Sequence, residues 1–133
     1  MLTVPSSVRI FLALGPTDMR KSFDTLARLV EEVIGEDPLS GHLFVFCNRK
    51  RNRLKILVWD RSGFWLHAKR LEEGRFAWPG RMAEEETSIE MDARELSLLI
   101  GGIDLRHVQR RNWYDRAPWS EKQSKHKKIR IHS

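Results

Sequence analysis

The side chains in this sequence with the most chemistry to offer lie between Arg49 and Lys69. Arg49, Lys50, Arg51, Arg53 and Lys55 crowd one polar stretch with no acid among them. Cations at that density suit a run of phosphates, whose neutralisation gives salt-sensitive affinity. Trp59, Trp65 and His67, followed by Lys69, add flat rings of the kind that stack on unpaired bases. A plainer reading stands beside each. Large aromatics usually fill a core, and a cationic turn is solvated whatever else it does.

Groups for catalysis are scattered by comparison. The five histidines (His42, His67, His107, His126 and His132) show no metal-ligand spacing, and the single Cys47 cannot begin a zinc site. The nucleophile elbow, the dinucleotide glycine pattern and the phosphate loop are all missing from the sequence. The cations beside Cys47 would lower a thiol pKa, but the residue reads better as a small core side chain. Asp18, Asp24 and Asp60 are the carboxylates a metal-dependent nuclease would need. Each has a structural task available: helix start, helix dipole and hairpin turn. No catalytic residue, metal or cofactor is expected.

The 133 residues suffice for one domain with a real core, at 41% hydrophobic and 32% charged. One Cys excludes an intrachain disulfide and fits a reducing cytoplasm. Neither a signal peptide nor a membrane span is expected, since no long apolar run occurs. The net charge is +6. Residues 1–103 carry equal numbers of acidic and basic groups, so the whole excess lies in residues 104–133. A basic terminus points to a polyanionic partner, nucleic acid first. Arg110, Arg111, Lys122, Lys125, Lys127 and Lys128 are its candidate contacts, and a purely solubilising tail is the alternative.

The elements that must position these groups can be read in order. VRIFLAL (8–14) has strand composition and stops at Gly15-Pro16. Phe23, Leu26, Ala27, Val30, Val33 and Ile34 recur at helical spacing, with Ser22 as N-cap, Asp24 in the first turn and Gly35 as C-cap. LFVFC (43–47), residues 53–59 and residues 64–71 read as three strands joined by two turns. A loop at 61–63 sets Trp59 opposite Trp65 and Asp60 opposite Phe64. A loop at 72–74 leads into a fourth short strand carrying Phe76 and Trp78. One face then collects Leu54, Ile56, Val58, Phe64, Leu66, Ala68, Phe76 and Trp78. The other collects Arg53, Lys55, Leu57, Trp59, Trp65, His67, Lys69 and Leu71. EEETSIEM (84–91) ends in a short strand, and Asp92 with Glu95 forms a capping box for a second helix ended by Gly101-Gly102. The expected class is α+β: a mostly antiparallel meander of four or five strands packed by two helices. Residues 1–116 form the expected domain, and 117–133 a basic tail expected to be disordered in isolation.

Four blocks, GPTDMRKSFDTLARLV (15–30), GHLFVF (41–46), KILVWDRSGFWLHAKRLEEGRFAWP (55–79) and LSLLIGGIDL (96–105), stand in an order that resembles one family. It is the TnpB-type accessory protein of insertion-sequence-66 bacterial transposons, the product of the element's second small open reading frame. The resemblance covers about residues 3–116. The positions that carry it are Asp18, Met19, Arg20, Lys21, Phe23 and Asp24, then Lys55, Trp59, Asp60, Gly63, Lys69, Arg70, Leu71, Gly74, Arg75, Phe76, Trp78 and Pro79.

The resemblance implies a non-catalytic accessory factor in transposition, encoded beside a large transposase and another small protein, and brings no set of active-site residues with it. The expected partners are the element's DNA ends, the transposase and that second small protein. A protein–protein adaptor without DNA contact is the alternative, with a metal-dependent nuclease or RNA-cleaving toxin behind it and a promoter repressor last.

Overall fold

The computed structural model describes residues 5–102. Five strands form one sheet: β1 (Ile10–Ala13), β2 (Leu43–Cys47), β3 (Arg53–Trp59), β4 (Phe64–Arg70) and β5 (Ser88–Met91). Their spatial order is β4-β3-β2-β1-β5. The two central strands, β1 and β2, run parallel, and every other neighbouring pair is antiparallel. Parallel neighbours need a crossover, supplied here by helix α1 (Phe23–Leu29) and its π-helical continuation Val30–Ile34. A second helix, α2 (Ala93–Ile100), follows β5. The class is α+β, as the sequence leads one to expect.

Both helices begin where their caps dictate. Ser22 N–H donates to Thr25 Oγ1 at 2.9 Å at the head of α1. At α2, Glu95 N–H donates to Asp92 Oδ1 at 2.8 Å and Asp92 N–H to Glu95 Oε1 at 2.9 Å, closing the expected box. The π-helical turn ends at Gly35, whose φ of 82° suits glycine and whose N–H reaches back to Val30 O. This wider turn shifts the apolar stripe. Leu26 and Val30 are buried as expected, but Val33 and, at the other end, Phe23 are exposed.

The sheet is covered on both faces, so its central strands are apolar without alternation. On one face Ile10, Leu12, Leu43, Val45, Cys47, Leu54 and Ile56 join Phe76, Trp78, Leu96 and Leu99. On the other, Phe11, Ala13, Phe44, Phe46 and Leu57 meet Leu26 and Val30 of the α1 segment. Trp78 is 1% exposed, and its Nε1–H donates to Ala13 O at 3.0 Å. Removing a ring buried to that degree costs roughly 3–5 kcal/mol.

Two expectations for the meander need correction. Trp59 pairs with Phe64 and Val58 with Trp65, so the β3–β4 register lies one residue from the one proposed. The cause is Asp60. Its Oδ1 accepts from Ser62 N–H, Ser62 Oγ and Gly63 N–H, which closes a loop over 60–63 rather than 61–63. The left-handed residue is Arg61, with φ 83°, and not Gly63. A slip of one residue exchanges faces. Phe64, Leu66 and Ala68 therefore share a face with Lys55, Leu57 and Trp59. Trp65, His67 and Lys69 share the other with Leu54, Ile56 and Val58.

The second correction concerns residues 72–79. Gly74 turns with φ 80°, but the chain leaves the sheet there instead of forming another hairpin. Phe76 N–H donates to Arg51 O at 2.7 Å, and Phe76 and Trp78 enter the core from an irregular segment.

Candidate nucleic-acid interface

The cationic tip is the β2–β3 turn, and neutral amides build it. Asn48 Oδ1 accepts from Asn52 N–H at 3.0 Å and Arg53 N–H at 3.1 Å, while Asn48 Nδ2 donates to Asn52 Oδ1 at 2.8 Å. Arg51 takes the left-handed conformation, φ 62°, that closes the turn. The segment after β4 buttresses it from behind, with Leu71 N–H on Asn52 O at 2.8 Å and Phe76 N–H on Arg51 O. Bonds on both sides make this a set turn, and Arg49 and Lys50 stand exposed at its end.

Burial and the positive charge of Arg75 push the Arg51 guanidinium below its ordinary pKa. The Cys47 thiol offsets them only in part, as the smallest of the three influences. Like charges held near each other disfavour the charged form of each, and a nearby anion relieves that cost. Arg49, Lys50, Arg51, Asn52, Gly74 and Arg75 line a groove of about 430 Å³ at this point. A second groove, of about 560 Å³, runs along the other flank of the turn between Arg49, Lys50 and Arg53 and the loop carrying Pro16 to Met19. Arg75 lines this groove without having been among the candidate contacts expected from the sequence. Its signal in the sequence was membership of the motif that carries the family resemblance, between Gly74 and Phe76.

The remaining cations divide. Lys55 is half-buried, and its Nζ donates to Met19 O at 2.8 Å and Lys21 O at 2.7 Å, fastening the loop before α1 to the sheet. Lys69 Nζ donates to Ile100 O at 2.9 Å, where a cation meets the negative end of α2. Arg70 pairs with Glu72. Arg53 is exposed and lines a third groove with Lys55, Lys69 and Arg70. Arg110, Arg111, Lys122, Lys125, Lys127 and Lys128 lie outside the described residues.

The aromatics do not form one platform. Trp59 is half-buried on the α1 face, edge-on to Phe64 at 5.1 Å. Trp65, on the opposite face, is 57% exposed and lies parallel to His67 at 6.2 Å. Its Nε1–H donates to Asp60 Oδ2 at 2.6 Å, which fixes the indole as an open ledge.

The three carboxylates are also apart in their roles. Asp18 is held to about pKa 2 by hydrogen bonds from Arg20, Asp60 is engaged by its turn and by Trp65, and Asp24 lies in the first turn of α1. Among the described residues no cluster of three His, Cys, Asp or Glu side chains could hold a metal. Cys47 is buried, and burial pushes its thiol up to about 12.

A family described as IS66 Orf2-like protein matches residues 8–110. The chain belongs to that family. It is 44% identical over 109 residues to the uncharacterized protein y4hO of Sinorhizobium fredii, covering 82% of this chain and 92% of that one. A second protein of the same bacterium, the uncharacterized protein y4jC, is 34% identical over 111 residues, covering 84% and 92%. No solved structure matches. Membership in the IS66 Orf2-like family makes the chain an accessory protein associated with an insertion sequence. Among the described residues no helix is long and apolar enough to cross a membrane.

Proposed function

We propose that this IS66 Orf2-like protein holds the DNA ends of its element through the β2–β3 turn and joins them to the transposase. The observation that carries the reading is the Arg51–Arg75 pair, two guanidiniums lining one groove, where burial and the charge of Arg75 both push the Arg51 guanidinium down. With Arg49 and Lys50 beside them, and Arg53 on the neighbouring flank, the turn offers successive cations to a phosphate backbone. Arg110, Arg111, Lys125, Lys127 and Lys128 lie outside the described residues and are proposed as further phosphate contacts on composition alone. Lys55 and Lys69 act mainly inside the fold. The protein supplies grip and geometry, and strand chemistry belongs to the transposase.

The test is a mobility-shift titration on the element's terminal inverted repeats at several salt concentrations. Charge reversal at Arg49, Lys50 and Arg51 together should weaken binding by about 100-fold or more, and each lost phosphate contact should reduce the salt slope by roughly 0.9. Unchanged affinity and slope would remove the turn from the interface.

A second reading, an adaptor without DNA contact, draws support from the exposed and immobilised Trp65, since aromatic anchors of this kind dominate protein interfaces. Co-purification with the transposase, combined with no DNA shift at low salt, would favour it.

A further inference from the structure

Strand β4 closes one end of the sheet, and nothing in the described residues pairs with its outer side. Two hydrogen bonds fix which of its backbone groups face outward. Asp60 N–H donates to Gly63 O, and Leu71 N–H to Asn52 O. Both lie in the same register as the β3–β4 ladder. In an antiparallel pair the bonded positions alternate, so Trp65, His67 and Lys69 turn their backbone groups toward β3. Phe64, Leu66, Ala68 and Arg70 turn theirs away.

Proteins guard such edges with prolines, bulges or charges. Here there is neither proline nor bulge, and the two cations at the far end are tied back, Lys69 to Ile100 O and Arg70 to Glu72.

We propose that β4 is a dimerisation edge, where two copies of the chain pair antiparallel about a two-fold axis at His67. The strand sequence FWLHAKR is self-complementary in that register. Phe64 lies opposite Arg70 of the second copy, Trp65 opposite its Lys69, and Leu66 opposite its Ala68. Every outward backbone group then meets a partner, and each aromatic faces a cation across the strands. Sliding two residues toward the C-terminal end sets His67 against Lys69. Sliding four sets Lys69 against Lys69, and sliding the other way loses both the Phe64–Arg70 and Trp65–Lys69 pairs, so the register centred on His67 is favoured. The β2–β3 turn lies at the Arg70 end of β4. The dimer therefore carries its two basic turns at opposite ends of one continuous sheet. The pairing itself does not depend on either turn touching DNA.

Sedimentation equilibrium on the full chain at high salt, where carried-over nucleic acid is released, tests the proposal. The wild type should be a dimer. Ala68→Pro removes an outward N–H and no β3–β4 bond, so it should halve the mass and leave the melting temperature unchanged. Should the proline unfold the strand, His67→Cys provides the second measurement. Under mild oxidation it should cross-link to itself across the two-fold axis, while Trp65→Cys and Lys69→Cys should not; Cys47 is buried and does not compete. A wild-type monomer at the highest soluble concentration would overturn the proposal. So would a dimer indifferent to Ala68→Pro, or a monomer whose Leu66 and Ala68 amides are protected from exchange by another part of the chain.

Discussion

The two hairpin turns of the meander are built by the same device with opposite electrical results. In each, the side chain at the end of the incoming strand accepts from backbone N–H groups across the turn. At the β2–β3 turn that side chain is Asn48, which is neutral. At the β3–β4 turn it is Asp60, whose charge is used on Ser62, Gly63 and the Trp65 indole. Each turn also places an arginine in the left-handed region, Arg51 and Arg61. The difference lies in what remains for a partner. An amide orders the first turn without adding a charge of its own beside Arg49, Lys50 and Arg51. A carboxylate orders the second and holds an aromatic ledge. One hairpin is suited to an anion, and the other to a surface contact.

The most damaging way to break the comparison is Asn48→Ala. It strips the acceptor from Asn52 N–H, which is half-buried, and from Arg53 N–H, which is exposed, in a turn that must stay closed. Stranding the half-buried donor should cost about 1 kcal/mol, since water reaches the exposed one, readable by chemical denaturation. DNA affinity should fall with it, because the cations lose their common frame.

What could be read from the sequence followed from how local its cause was. The helix caps at Ser22 and Asp92 and the Gly35 stop depend on neighbours within a few residues, and they stand where the pattern put them. The β3–β4 register failed by one because a glycine was expected to take the left-handed position. The Asp60 carboxylate instead drew the loop closed one residue earlier and put Arg61 there. That choice separated Trp59 from Trp65. The strand expected at Phe76 failed for a longer-range reason: its backbone bonds to Arg51, not to β4. The same tertiary contact brings Arg75 to Arg51, a pairing that no spacing rule contains. The roles of Lys55 and Lys69 were hidden likewise, since their acceptors at Met19, Lys21 and Ile100 are more than thirty positions away.

A gentler substitution sharpens the contrast by making the first turn resemble the second. Asn48→Asp keeps acceptor oxygens for Asn52 N–H and Arg53 N–H, and a flip of the Asn52 amide replaces the lost bond from Asn48 Nδ2 with one from Asn52 Nδ2, so stability should change little. It introduces a negative charge beneath Arg49, Lys50 and Arg51. If the neutrality of Asn48 matters to anion binding at this turn, DNA affinity should drop about tenfold and the salt slope by roughly one contact. Lost stability with unchanged binding would mean that the turn's order, and not its charge, is the relevant property.

The smallest effect belongs to the reverse exchange, Asp60→Asn, and it is best followed by pH. Hydrogen bonds from Trp65 first, then from the Ser62 backbone, hold the Asp60 carboxyl below its ordinary value of 3.8. A carboxyl depressed on folding contributes stability that is present above its unfolded value and is lost as pH falls through the folded one. The Trp65 indole N–H resonance should therefore stay constant from neutral pH down past the ordinary carboxylate range, then shift at lower pH as Asp60 protonates and the bond loses its charge. In Asp60→Asn the resonance should begin displaced and show no such titration. If the wild-type resonance instead titrates at an ordinary carboxylate value, the indole is not tied to Asp60 in solution. The ledge would then be mobile, and the second hairpin would lose the ordered surface that sets it apart from the first.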